Sequence, residues 1–96
     1  MNQPNDISGR AEEIQLLIAS CDLRKAGKRL MDFVRDFSSN KDYFHDTIVL
    51  IANYNNLETD LRREIIEYDN AQRQKNKLLY KMLDLVELVL DQPIAA

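Results

Sequence analysis

Two glycines and two prolines are all the turn-forming rings and hinges in 96 residues. So little punctuation excludes a turn-rich β fold. Both prolines stand near the ends, at Pro4 and Pro93, so no proline ring interrupts a helix between them. Cys21 is the single cysteine, which excludes an internal disulfide and most thiolate metal centres. His45 is the single histidine, so no two-histidine zinc motif can form. No apolar run approaches the ~18–20 residues that span a bilayer, and no leader pattern opens at Met1. Positive charge is also not in excess: 13 Lys and Arg stand against 16 Asp and Glu, a net charge of -3. Non-specific nucleic-acid binding is therefore not the default expectation. These absences together lead us to expect a cytoplasmic protein with no membrane and no nucleic-acid partner.

What is present is helical. The apolar share is 45% and the charged share 30%, ordinary for a folded chain of one domain. Residues 1–8 read as a loose end, 9–92 as one folded unit and 93–96 as a loose tail. Ile14, Leu17, Ile18 and Cys21 form a first helical line, with Ser8 as the expected cap and Glu12 and Glu13 near its positive end. That places the Cys21 thiol among buried apolar groups. Asp22 reads as a second cap, followed by Ala26, Leu30, Phe33, Val34 and Phe37, ending near Ser38-Ser39-Asn40. Only a tight corner fits between Cys21 and Leu23, so these two helices form a hairpin. A third line, opening at Asn40 or Lys41, runs through Phe44, Ile48, Ile51, Tyr54, Leu57 and Leu61. The pattern blurs over 64–70, with Asp69-Asn70 as the expected turn. A fourth line follows Leu79, Met82, Val86 and Val89, broadened by Leu78, Leu83, Leu85 and Leu90, and ends before Pro93.

The expected fold is all-α: an antiparallel four-helix bundle made of a short and a long hairpin. Its expected core is Ile18, Leu30, Phe33, Ile48, Ile51, Leu79, Met82 and Val86. A death-fold-like bundle of five or six helices is the alternative.

No arrangement for catalysis emerges. His45 and Asp46 are adjacent on a helix and point about 100° apart, so they cannot form a relay. Cys21 has no base near it in sequence, and neither Gly9 nor Gly27 has a glycine partner for a phosphate loop. Glu12-Glu13 sits in a helical run. We expect no enzyme activity, no cofactor, no metal and no small-molecule substrate. Charge is more informative. The second helix carries Arg24, Lys25, Lys28, Arg29 and Arg35 against Asp32 and Asp36. The fourth carries Arg73, Lys75, Lys77 and Lys81, then turns acidic at Asp84, Glu87 and Asp91, against the helix dipole. One reading is a solvated surface. The other is a bipolar surface that docks charged faces of other chains, with Arg24, Lys25, Lys28, Arg29, Asp84, Glu87 and Asp91 as its candidate residues.

Two segments resemble a known family. "LLIASCDLRKAGKRLMDF" is similar to the opening of effector-associated domains of type eleven, at Leu17, Ile18, Leu23, Ala26 and Leu30. Cys21-Asp22 stands where that family has a corner glycine. A second signature is carried by Tyr54, Asn55, Leu57, Asp60, Arg62, Ile66, Asn76, Tyr80 and Leu83, with Glu64 at another familiar glycine position. The missing glycine lets the third helix run on further. The resemblance covers residues 14–88. It implies a non-catalytic, death-superfamily-like adaptor that associates with a like domain on a protein partner, or with itself, in bacterial conflict systems. Within it, Tyr54, Asn55, Asp60, Arg62, Asn76 and Tyr80 are expected to form a polar layer. With a turn near 67–69, Asn55 lies opposite Tyr80 and Asn76 opposite Asp60, and a buried layer there sets the register of the long hairpin. Direct partner contact is the other reading of the same residues. A generic homo-oligomerisation module and a helix-turn-helix DNA binder remain as alternative functions.

Overall fold

The computed structural model describes residues 6–64 and 66–91. Within them lie four helices: α1 (Ile7–Ala19), α2 (Leu23–Phe37), α3 (Lys41–Arg62) and α4 (Tyr68–Leu90). Among the described residues there is no strand. The parts of the two loose ends at 1–5 and 93–96 lie outside the described residues. The architecture is the expected helical bundle of a short hairpin on a long one, with four helices among the described residues.

Local chemistry explains the boundaries. Asp22 caps α2 by accepting from the Lys25 amide at 3.3 Å, and Asn40 caps α3 by accepting from the Asp42 amide at 2.9 Å. Ser8 is not a cap: α1 begins at Ile7, with Asp6 at the cap position and no side-chain bond there. Asp69-Asn70 is not the turn either. Both residues lie in the first turn of α4, where Asp69 meets the positive helix end, so the turn precedes them, after α3 ends at Arg62.

Among the described residues, Cys21 and Glu64 are the two non-glycine residues with positive φ, each at 59°. Each sits two residues past its helix. The Cys21 amide donates to the Ile18 carbonyl and the Asp22 amide to the Leu17 carbonyl, both at 2.9 Å. This is the left-handed helix stop that normally employs glycine. The Glu64 amide donates to the Leu61 carbonyl at 3.1 Å in the same way. The two places where the family's glycines are missing are thus the two places that need their conformation. Glu64 therefore ends α3 rather than extending it. Cys21 is exposed at its corner, not buried, because the left-handed stop has already turned the chain off the apolar face of α1.

α2 packs against α1, α3 and α4, and α4 packs against the other three, while α1 and α3 do not touch. The centre holds Ile14, Ile18, Leu30, Phe33, Val34, Met82, Val86 and Val89, each no more than 4% exposed. Gly27 lies buried where α2 crosses α3: a Cβ there would stand 3.2 Å from Ile51 Cγ1. Five of the eight expected core residues are buried. Ile51 and Leu79 are half-buried. Ile48 is a correction, at 42% exposed. The inward face of α3 is instead Thr47, Leu50, Tyr54 and Leu57. Thr47 can be fully buried because its hydroxyl donates to the Tyr43 carbonyl at 2.7 Å. That local bond hides its polarity and turns Ile48 outward.

Candidate interaction surfaces

The charged residues of α2 all occupy one face, because the buried Leu23, Ala26, Gly27, Leu30, Phe33 and Val34 claim the other. Along that face the charge is uneven. In the C-terminal half, Arg35 contacts Asp32 at 2.7 Å and Asp36 at 3.8 Å, and Arg10 of α1 contacts Asp36 at 2.7 Å. The same Arg10 guanidinium lies 5.2 Å from the Phe37 ring centroid. The Arg10 hydrogen bond holds the Asp36 carboxyl below the usual carboxylate range, against a smaller desolvation effect. That half is charge-balanced. In the N-terminal half, Arg24, Lys25, Lys28 and Arg29 are all exposed. Their only carboxylate neighbours among the described ion pairs are Asp22, 3.9 Å from Lys25, and Glu13, 3.8 Å from Arg29. No acidic residue lies inside the first turn of α2. Of these cations, Arg24 and Lys25 stand in the first turn, at the positive end of their own helix, where Asp22 at the cap is the one carboxylate to offset them; Lys28 and Arg29 lie one turn further on.

The end of α4 is the mirror case. Asp84, Glu87 and Asp91 are exposed, and no basic residue lies in the last turn. Spacings of three and four place them on one side of the helix. Their charge repeats that of the helix end rather than opposing it. Gly27 of α2 lies over Met82 of α4, and Asp91 is nine residues further on, roughly 13 Å along the axis. The basic and acidic faces are therefore separate patches.

The polar layer does not form as expected. Tyr54 is buried at 9% exposed, but Asn55, Asn76 and Arg62 are exposed, Tyr80 is 66% exposed and Asp60 is half-buried. Leu57 and Leu78 line one cleft and Leu50 and Leu85 another, a pairing consistent with a turn near 67–69. Asn55 and Tyr80 are exposed on the outer sides of their helices and do not form a buried pair. Among the described residues, Glu58 and Lys75, 3.7 Å apart and partly shielded, form the ion pair between α3 and α4. Burial, and then the Glu58 charge, push the Tyr54 hydroxyl up from its ordinary pKa. Tyr54 also lines a cleft with Arg24, Gly27, Lys28 and Asn55, so the Tyr-Asn pair meets the basic end of α2.

Sequence reasoning missed Val49 and Leu88, both exposed apolar residues beside a cleft between α3 and α4. Each lies at the edge of an apolar stripe and looks like core until packing is known. No helix of the described residues is long and apolar enough to cross a membrane. A protein-family model described as effector-associated domain 11 matches residues 9–89. No curated protein and no solved structure matches the chain.

Proposed function

Since the chain belongs to the effector-associated domain 11 family, we propose that it is a non-catalytic, death-like adaptor domain. It recruits or couples effector proteins of a bacterial conflict or immunity system in the cytoplasm, by association with a like domain. One observation carries this reading: an exposed run of cations at the start of α2 and an exposed run of anions at the end of α4, with Arg24 and Lys25, and Glu87 and Asp91, at the helix ends whose dipole repeats their charge. Such placement lowers the stability of the isolated domain and is relieved when an opposite charge arrives. The basic end of α2 and the acidic end of α4 are complementary to each other. Because they are different patches of one chain, copies join head to tail, and that contact continues into a ring or an open filament. Contact between exposed charges is weak and screened over about 8–10 Å at physiological ionic strength.

The test is sedimentation of the parent and of Lys25→Glu/Lys28→Glu/Arg29→Glu at low and high salt. The triple variant keeps its helical content, since all three side chains are exposed. It loses association at low salt, where the parent associates. A variant that sediments like the parent at both salt levels reduces the α2 face to a solvated surface and sinks the reading.

A further inference from the structure

Between α3 and α4, on the opposite flank of α3 from Ile51 and Asn55, lies a cleft of about 360 Å³. Leu50 and Leu85 form its buried floor, and Val49 and Leu88 stand on its walls at 55% and 44% exposed. Asp46 and Asp84 flank it, both exposed and both outside every ion pair among the described residues. Lys81 is the one cation in its lining. The acidic end of α4 continues the negative charge past Leu88. An apolar trough between two parallel rows of side chains has the shape that receives a helix. Its charge selects which helix.

We propose that this cleft docks an amphipathic helix of a different partner protein, one whose apolar stripe is flanked by lysine or arginine. On a second copy, the basic face of α2 exposes no apolar residue, and exposed Leu16 shares its helix face with Glu12. The proposal goes beyond the like-domain reading: it adds an apolar groove, lined by Val49, Leu50, Leu85 and Leu88, that shares only Asp84 with the acidic end of α4.

The probe is a synthetic peptide about 18 residues long, five helical turns, with leucine at i, i+3, i+4 and i+7 and lysine on both flanks. One control replaces the leucines with serine; another replaces the lysines with glutamate. Binding is followed by fluorescence anisotropy and by the amide NMR shifts of the protein. The lysine–leucine peptide binds, and shifts concentrate in residues 46–53 and 81–88. Val49→Asn/Leu88→Asn leaves the charge untouched and weakens binding at least about tenfold, because it removes the apolar walls. Asp46→Asn/Asp84→Asn weakens it and flattens its salt dependence. Lys25→Glu/Lys28→Glu/Arg29→Glu binds the peptide as the parent does, which separates this test from that of like-domain association. The proposal is overturned if the lysine–leucine peptide does not bind. It is equally overturned if either control peptide binds as well, or if the shifts fall on Glu87 and Asp91 without Val49 and Leu88.

Discussion

Cys21 and Glu64 make the clearest case at the level of single residues. A side chain in the left-handed region costs about 1–2 kcal/mol, and glycine recovers that less its own greater freedom when unfolded. Cys21→Gly and Glu64→Gly should each stabilise the domain by about 0.5–1 kcal/mol, while Glu64→Ala should gain nothing. Urea midpoints check this, and a glycine variant less stable than its parent would contradict it. Asp36 makes a pH prediction. Its folded pKa is lowered by Arg10, so its contribution is present above the unfolded carboxylate pKa and is lost as pH falls through the folded value. Asp36→Asn should therefore melt below the parent at pH 7. The gap should close as the pH drops beneath the ordinary aspartate range, near 4. A gap that stays constant down to pH 2.5 would show that the Arg10 contact contributes nothing.

Among the elements, α2 is the one that the sequence revealed most fully. Its cap, its end at Phe37, its buried stripe and its basic face are all where the residues implied. Every inward position is apolar or glycine and every outward one is charged, so the pattern admits one orientation. α3 misled because its inner face includes Thr47 and its outer face includes Ile48 and Val49. A threonine that bonds its own helix, and apolar residues left outside, break the rule that polarity reports burial. The polar signature failed for a related reason: spacing fixes the height of Asn55 and Tyr80 on the hairpin but not which side of it they occupy. Asn76→Leu should accordingly leave stability within about 0.5 kcal/mol, as for other exposed sites. The crossing of α2 over α3 turns on Gly27. Gly27→Ala adds helix propensity and crowds half-buried Ile51, so it should be nearly neutral. Gly27→Leu should destabilise by about 1–3 kcal/mol by forcing the helices apart. If Leu is tolerated as well as Ala, the close approach is not structural.

For the whole molecule, the two hairpins share one core with Phe33 at its centre, fully buried and 5.5 Å from the Phe37 ring centroid. Phe33→Ala should lose about 3–5 kcal/mol, a large part of what so small a domain has. Around that core lie two surfaces that packing does not use: a charged pair of helix ends and an acid-flanked apolar cleft. The charged pair was visible in the sequence because charge reads directly from residue type. The cleft was not, because it exists only once α3 and α4 are set side by side. The central claim is that the basic end of α2 meets the acidic end of α4 in a neighbouring copy. It is tested most directly by mixing two charge-reversed variants, Lys25→Glu/Lys28→Glu/Arg29→Glu and Asp84→Lys/Glu87→Lys/Asp91→Lys. Sedimentation at low salt should find each variant alone poorly associated and the equimolar mixture associated. A mixture that stays as dissociated as its components, beside a parent that associates, would contradict it.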